Sequence, residues 1–316
     1  MKEADKSKIR DLLADLEHKR LPLLNKYRKR QFITLLSSLV LVPLLLYYDY
    51  HQNFIKRHEQ VPLSAVFLFS ILYWMRGPVR EYVHSYKKEM LPKIANSLGD
   101  FDYHRRKRIE REELEPSMIF PENDRYKSED YFRGLYKNTV IEFSEVDIQK
   151  RWFWSPAKRG AYRSIYKGLA VLIKLDKKRF YGKTLVVKDM PKLIESLKER
   201  QYNLKKINLV DPKFEKAFDV YSTDEVEGRY LVDPIVIEGF TNLYRLFSGK
   251  NLSASFYDGD KFLILIETDY NHFEPPKIST KATEIKDVVR LHKEVDNILQ
   301  IVNHLNLYSR DSFSQK

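Results

Sequence analysis

The residues best suited to chemistry form one acidic, hydroxyl-bearing cluster. It consists of Tyr221, Ser222, Thr223, Asp224, Glu225, Glu227, Arg229 and Tyr230. Carboxylates this close together could bind a metal ion or act as general acid and base. The segment also has the spacing of a helix start, because Ser222 followed by Glu225 predicts a capping box, and Arg229 could pair with a remaining carboxylate. Helix capping explains the cluster without a site, and we predict that structural role.

The rest of the sequence has no recognised catalytic pattern. The eight histidines lack the His-Glu-x-x-His spacing of a zinc site. The Gly-Lys pairs at Gly182 and Gly249 lack the upstream glycine of a phosphate-binding loop, and no Gly-x-Ser-x-Gly elbow is present. A chain without cysteine has no disulfide, thiolate metal site or cysteine nucleophile. We therefore predict no catalytic residue, metal or cofactor, and do not expect an enzyme.

A second group of residues has the composition of a lipid-contacting loop. This basic–aromatic patch consists of Lys150, Arg151, Trp152, Phe153, Trp154, Lys158 and Arg159. Aromatic rings can enter the lipid interface while neighbouring cations meet the headgroups. The rings could instead pack into the domain core, and phosphoryl-ligand binding is a third, weaker alternative. We predict that this patch contacts lipid.

Two uncharged apolar segments near the N-terminus predict where the chain is placed. They run Phe32–Tyr48 and Val61–Met75, separated by the polar connector Asp49–Gln60. Each is somewhat shorter than the ~20 residues of a typical span, but flanking aromatic residues can extend it. We predict a transmembrane helical hairpin over residues 31–76. A buried hairpin in a soluble core and a re-entrant hairpin are the alternatives.

The distribution of Lys and Arg predicts the orientation of this hairpin. Six basic residues lie before the first segment, two in the connector and five after the second segment. The positive-inside rule then places both termini in the cytoplasm, giving a multi-pass protein of the cell inner membrane. The net charge of +12 and the basic region 76–111 favour anionic lipid as a partner. No nucleic-acid-binding motif accompanies the charge, so we expect no nucleic acid.

Beyond the hairpin, the sequence predicts a cytoplasmic α+β domain over residues 77–316 with a largely antiparallel sheet. Before the hairpin, it predicts a basic amphipathic cytoplasmic helix over residues 1–30. Region 79–113 is predicted to be mainly helical, followed by a linker, Glu115–Glu129. Period-two runs and turn signals predict strands at Thr139–Ile148, Ile165–Leu175, Lys183–Lys188, Ile207–Val210, Leu252–Tyr257 and Phe262–Glu267. Further helices are predicted at Pro191–Gln201, after Asp233-Pro234, and over Thr283–Leu305.

Several of these segments resemble one family. The sequences EFSEV (Glu142–Val146), YKGLAVLIKLDKKRFYGKTLVV (Tyr166–Val187) and DPKFEKAFDVYSTDEVEGRYLVDP (Asp211–Pro234), followed by an aromatic hairpin, resemble DUF3137, a family of uncharacterised bacterial membrane proteins. VYSTDEVEGRY is the most specific part, although Gly228 stands where alanine is expected and Asp233 where threonine is expected. The resemblance implies an integral membrane protein with a cytoplasmic α/β domain, no established activity, and possible partnership with a LemA-like membrane protein.

The sequence thus favours a membrane-anchored scaffold or interaction module at the cytoplasmic face of the inner membrane. The alternative is a membrane-anchored enzyme that acts on a lipid or envelope precursor through the Asp224–Arg229 region. A polar pocket around those carboxylates would favour the enzyme. Their use in starting helices would favour the scaffold.

Overall fold

The structure is a computed structural model. It describes residues 3–51, 61–98, 100–152, 161–177, 180–188, 203–209, 212–246, 250–269 and 271–281, together with residues 299, 300 and 303. The helices predicted at Pro191–Gln201 and Thr283–Leu305 therefore lie wholly or largely outside the described residues. The chain divides into two compact units, Met1–Leu91 with Glu274–Asp287, and Pro92–Phe273 with Val288–Lys316.

The first unit is built on a long helix whose second half is apolar and a shorter apolar helix antiparallel to it. It contains α1 (Glu3–His51), α2 (Leu63–Met75), α3 (Gly77–Ser85) and a π-helical turn, Tyr86–Met90. The Asp49 carboxylate, near the end of α1, accepts hydrogen bonds from the backbone N–H groups of Leu63 (3.1 Å) and Ser64 (2.9 Å) at the start of α2. At the opposite end of α2, Arg30 donates to the carbonyl oxygen of Trp74 at 2.6 Å. The two contacts join the helices as a hairpin.

The first helix has the length and composition of a membrane span. Among the described residues, it is the one helix that is long and apolar enough to cross a bilayer, over Arg10–His51. Only 6% of its most apolar window is buried, so the apolar side chains face outwards. The shorter α2 lies beside it. The crossing of a membrane by both helices stays a prediction.

A returning segment of the chain completes the first unit. Residues 274–281 contact α1 through Arg20, which is 2% exposed and donates to the carbonyl oxygen of Ile278. Arg20 also pairs with Glu17 at 2.6 Å. Lys87, equally buried, pairs with Glu274. Each buried cation therefore has an anionic partner, as burial of a charge requires.

The second unit confirms the α+β class and the antiparallel sheet. Its described strands are β1 (Phe101–His104), β2 (Arg125–Tyr136), β3 (Thr139–Arg151), β4 (Tyr162–Lys174), β5 (Thr184–Val187), β6 (Lys205–Ile207), β7 (Asp219–Ser222), β8 (Asn251–Tyr257) and β9 (Lys261–Glu267). They form one nine-stranded sheet in the order β1-β2-β3-β4-β9-β8-β5-β7-β6, antiparallel at every pairing. The described helices of this part are α4 (Leu91–Leu98), α5 (Arg111–Leu114), α6 (Pro212–Glu215), α7 (Glu225–Leu231) and α8 (Pro234–Leu246).

The fourth strand lies at the centre of the core, as its continuous apolar run predicts. Every residue of Leu169–Ile173 is at most 3% exposed. Gly168 precedes this run, and a Cβ there would lie only 2.0 Å from the carbonyl oxygen of Ile266 in β9. Glycine is therefore required for β4 and β9 to approach each other. The predicted β8–β9 hairpin is also confirmed, with Asp258 and Gly259 at positive φ in its turn.

The region between the hairpin and β3 differs from its prediction. The helix α4 ends at Leu98, β1 occupies part of the segment predicted to be helical, and helical structure returns only in the short α5. The predicted linker Glu115–Glu129 contains the start of β2. In β2, Glu129 lies opposite Glu145 but Phe132 lies opposite Phe143, so two residues of β2 face one of β3 and the bulge adds one residue. The bulge interrupts the period-two pattern from which a strand is recognised.

Candidate functional site

The acidic cluster forms a strand-to-helix turn. Asp224, rather than Ser222, is the N-cap of α7, and its carboxylate accepts from the backbone N–H of Glu227 at 2.9 Å. Ser222 still belongs to β7; its hydroxyl lies 2.9 Å from that of Thr184 and donates to the Asp224 carbonyl at 2.7 Å. The predicted capping box at Ser222 and Glu225 is therefore wrong, because the N-cap lies two residues later, at Asp224. Pairing of β7 with β5 and β6 keeps Ser222 in the sheet.

The other members of the cluster are also used in structure. Glu227 accepts from the backbone N–H groups of Tyr181 (2.6 Å) and Gly182 (2.8 Å). Thr223 accepts from the N–H of Lys183 at 2.9 Å. A further pair, Arg229 with Glu225 at 2.7 Å, lies along α7. Tyr221 lies in β7 and Tyr230 on α7. The cluster thus fastens the 181–183 loop to the start of a helix, which supports its structural interpretation.

The glycine that departs from the family pattern has a steric reason. A Cβ on Gly228 would lie 2.4 Å from Cδ1 of Ile207 and 2.8 Å from Cβ of Ser222. Both distances are shorter than van der Waals contact, so a side chain at this position would force its neighbours to move. Glycine therefore lets α7 lie close to β6 and β7.

The basic–aromatic patch begins at the end of β3. Lys150 pairs with Glu122 at 3.5 Å, and the Arg151 N–H donates to Asp124 at 2.7 Å. Trp152 is 45% exposed, with the Arg163 guanidinium 5.1 Å from its ring centroid. Its ring is therefore not a core side chain. The remaining members, Phe153, Trp154, Lys158 and Arg159, lie outside the described residues, and lipid contact stays a prediction.

Among the described residues of the second unit, the first four strands line a groove of about 1140 Å³. We call it the polar groove. Its lining residues come from β1–β4, the segment between β1 and α5, and Asn271. They are Asp102, His104, Arg106, Lys107, Arg108, Glu110, Glu113, Tyr126, Lys127, Ser128, Glu129, Tyr131, Arg133, Glu142, Glu145, Val146, Asp147, Lys167, Gly168, Lys174 and Asn271. Its volume is sufficient for a small-molecule ligand.

Small residues lie side by side in the sheet beneath this groove. Ser128, Val146 and Gly168 are register partners across β2, β3 and β4, and Ser144 pairs with Ala170 two residues further along, on the same face of the sheet. The buried Ser128 and Ser144 hydroxyl groups lie near the Tyr126 hydroxyl, and hydrogen bonds from them counteract part of the rise that burial gives to the pKa of Tyr126. Buried hydroxyl groups are ordinarily paired.

One end of the polar groove is closed by an ion cluster. The Glu113 carboxylate lies 2.8 Å from Lys174 Nζ and 2.9 Å from Lys261 Nζ, and Lys174 is 3.3 Å from Glu142. Burial raises the pKa of Glu113, but hydrogen bonds from the two lysines outweigh burial and the net pKa is lowered. The Tyr257 hydroxyl donates to the Glu113 carbonyl at 2.6 Å. This end is occupied by mutually paired groups.

The groove as a whole carries balanced charge. Seven Lys or Arg and seven Asp or Glu side chains line it. Burial raises the pKa of Tyr126 to about 12. The Arg108 guanidinium lies 5.7 Å from the centroid of the Tyr126 ring. Lys107 lies 3.3 Å from a ring nitrogen of His104. Within the described part of the chain, no group of three or more His, Asp or Glu side chains could hold a metal ion.

Sequence reasoning did not find this groove, since its residues form no motif. They come from segments between Asp102 and Asn271, brought together by strand pairing. A local signal was present only in the small residues of otherwise bulky strands, above all Gly168 in an apolar run. A glycine inside a strand often marks a close backbone approach.

Comparisons with known proteins agree with the family resemblance. The family described as "Protein of unknown function (DUF3137)" matches residues 164–307, a little under half of the chain. No curated protein matches. Among solved structures, the chain is similar to mycobacterial trehalose monomycolate transport factor A, TtfA, with 11% identity, a TM-score of 0.36, and coverage of 67% of this chain and 96% of that chain. A similarity at this level carries no argument about fold or function. The identification of DUF3137 from the sequence is thus confirmed over residues 164–307.

Proposed function

We propose that the chain is a membrane-anchored scaffold or interaction module at the cytoplasmic face of the inner membrane. The observation that carries the proposal is the apolar outer surface of the hairpin. Leu35, Leu39 and Phe69 are each 74% exposed, and the neighbouring side chains on both helices are also apolar. Exposing such a surface to water costs about 25 cal/mol per Å². A bilayer removes that cost.

The ends of the hairpin support the same placement. Arg30 lies over the Trp74 ring at 4.6 Å, and Arg80 lies over the Tyr73 ring at 3.8 Å. Aromatic rings beside basic side chains are typical of the membrane–water interface. The opposite end carries the exposed tyrosines Tyr47 and Tyr50, and the connector that follows has two basic residues in the sequence, Lys56 and Arg57. This asymmetry supports a cytoplasmic position for the Arg30 end.

The carboxylates near Asp224 support the scaffold rather than the enzyme alternative. Asp224 is used in capping, Glu225 in an ion pair and Glu227 in holding a loop. No observation at this cluster favours catalysis on a lipid or envelope precursor. The enzyme therefore remains the second candidate without support of its own.

Single-cysteine labelling tests the proposed topology, because the native chain has no cysteine. Gln52→Cys lies in the connector by sequence, and Glu238→Cys lies at an exposed position of α8. In intact cells an impermeant thiol reagent should label only Gln52→Cys. After the membrane is permeabilised it should label both. Labelling of Glu238→Cys in intact cells, with Gln52→Cys protected, would overturn the orientation.

The proposed lipid contact of the basic–aromatic patch has its own test. In full-length protein carrying Trp74→Phe, the remaining tryptophans are Trp152 and Trp154. Their fluorescence should be quenched by brominated anionic lipid in nanodiscs. The quenching should fall at high salt, which screens the neighbouring cations. Equal quenching in neutral and anionic nanodiscs at every salt concentration would contradict the role of the charges, and no quenching would contradict lipid contact.

A LemA-like membrane protein is the partner class that the family resemblance implies. We propose it as a partner of the anchored chain. Its copurification with the full-length protein from detergent extracts, but not with a chain lacking the hairpin, would support an interaction within the membrane. Equal recovery with both would place the interaction on the second unit.

A further inference from the structure

We propose that the outward side of α7 binds a basic amphipathic helix of a partner protein. The contact surface consists of Tyr181, Val226 and Tyr230, and we call it the α7 surface. The inference rests on the proposed role as an interaction module and names the class of partner. It concerns the second unit alone, so it does not depend on the membrane anchor.

The first support is the exposure of apolar side chains. Among the described residues of the second unit, Tyr181 and Val226 are the two most exposed large apolar side chains, at 86% and 80%, and Tyr230 is 38% exposed. Single exposed apolar residues are ordinary on a protein surface, whereas several at one place mark an interaction site. Their position relative to one another is therefore the deciding point.

Hydrogen bonds hold the Tyr181 loop against α7. The Glu227 carboxylate, in the first turn of this helix, accepts from the backbone N–H of Tyr181 at 2.6 Å and from that of Gly182 at 2.8 Å. These bonds use the backbone of Tyr181 and leave its ring in solvent. The ring thus lies beside the helix that carries Val226 and Tyr230.

Val226 and Tyr230 form one stripe along α7, on the side that faces away from the sheet. They are four residues apart, and side chains with this spacing are neighbours on a helix surface. Gly228 lies midway between them and on the opposite side of the helix. A Cβ there would lie 2.4 Å from Cδ1 of Ile207 in β6. Because Gly228 faces the sheet, the stripe of Val226 and Tyr230 faces outwards.

The charge around the α7 surface selects the partner. Residues 224–238 contain one guanidinium, Arg229, whereas the whole chain has a net charge of +12. The five carboxylates of this segment are Asp224, Glu225, Glu227, Asp233 and Glu238. Arg229 pairs with Glu225. Asp224 and Glu227 accept from backbone N–H groups, which are neutral donors and leave the negative charge in place. The segment is therefore anionic within a cationic chain.

A basic amphipathic helix matches both properties of this surface. Its apolar residues, spaced three and four apart, would cover the exposed apolar side chains. Lys or Arg at its margins would meet the carboxylates, and guanidinium groups also stack on tyrosine rings. The same carboxylates would repel an anionic lipid surface. A second copy of the chain would bring two anionic segments together, which is also unfavourable.

Peptide binding to the full-length protein in phosphatidylcholine nanodiscs tests the proposal. The first probe is a fluorescent helix of about 18 residues, or about five turns, with leucine on one side and lysine on the other. In the second probe glutamate replaces every lysine, and in the third serine replaces every leucine. Fluorescence anisotropy, corrected for binding to empty nanodiscs, should show about tenfold or tighter binding of the first probe. Equal affinity for another probe, or no binding of the first, would overturn the proposal.

Substitution of the exposed apolar side chains assigns binding to the α7 surface. Tyr181→Ser with Val226→Ser should weaken binding of the first probe about tenfold. The backbone N–H at position 181 stays available to Glu227. Leu135→Ser is the control, because Leu135 is an apolar side chain of β2 that is 58% exposed and lies outside this surface. It should leave the affinity unchanged, and thermal melting checks the folding of each variant. Equal weakening by both would contradict the proposal.

The carboxylates have a separate test. Glu225→Gln with Glu238→Gln, both at exposed positions, should weaken the first probe about fivefold. It should also reduce the effect of salt on the affinity, because fewer charges remain to be screened. Glu112→Gln with Glu122→Gln removes the same charge from exposed positions outside the surface and should alter neither quantity. If the two pairs of substitutions acted alike, the anionic segment would not select the partner.

Sedimentation velocity in detergent distinguishes a partner protein from a second copy. The native protein and the variant with Tyr181→Ser and Val226→Ser should sediment alike. A native dimer that dissociates in this variant would assign the surface to a second copy and overturn the proposal. The peptide titration is independent of the cysteine labelling, so its failure would leave the proposed anchoring and orientation unaffected.

Discussion

Replacing Leu36 and Leu39 together by aspartate should release the protein from the membrane. The two side chains are 58% and 74% exposed on α1, so little within the described unit would shield the new charges. An aspartate near the middle of a span costs roughly 2.5–3.5 kcal/mol on insertion scales. Two therefore cost about 5–7 kcal/mol, or roughly four orders of magnitude in the insertion equilibrium. Flotation on a density gradient after carbonate extraction measures the change.

The matched control is Leu36→Ala with Leu39→Ala. It removes the same leucine side chains without adding charge, and this protein should continue to float with the membrane fraction. Flotation also separates inserted protein from aggregates, which would sediment. If the aspartate variant floated like the native protein after carbonate treatment, the apolar surface of α1 would not be a lipid-facing surface.

The features that could be predicted from sequence are those that depend on neighbouring residues. A helix that is apolar on every side has its signal in one continuous segment, and the segment Phe32–Tyr48 is helical in the structure. The start of α8 is equally local: the Asp233 carboxylate accepts from the N–H groups of Ile235 and Val236, next to proline at the first helical position. The β8–β9 turn follows from its Asp-Gly pair. Each of these predictions has a local physical cause.

The features that escaped prediction depend on strand pairing. Ser222 has the spacing of an N-cap, but hydrogen-bonded neighbours on both sides of β7 keep it in the sheet and move the cap to Asp224. The bulge in β2 is defined by its alignment with β3. The polar groove also depends on strand pairing, which brings Ser128 and Gly168 into one row across the sheet. One sequence without its pairings does not reveal which distant residues meet.

Gly168→Ala should destabilise the second unit by about 3 kcal/mol or more, at the upper end of the cost of overpacking. The added Cβ would lie 2.0 Å from the Ile266 carbonyl oxygen. That atom belongs to the backbone of β9, so no side-chain rotation can relieve the contact, and β4 and β9 must separate at the middle of the sheet. Urea unfolding of the full-length protein in detergent, followed by near-ultraviolet circular dichroism, would measure the loss.

Gly182→Ala provides a control with the same chemical change. Its Cβ would lie 2.3 Å from Thr223 Oγ1, a side-chain atom that can rotate away with loss of the hydrogen bond it accepts from Lys183. The expected cost is about 1 kcal/mol, the usual net value of such a bond. If Gly168→Ala were no more destabilising than Gly182→Ala, the close approach of β4 and β9 would not be a requirement of the fold. The small-residue row beneath the polar groove would then need another explanation, because Gly168 belongs to both.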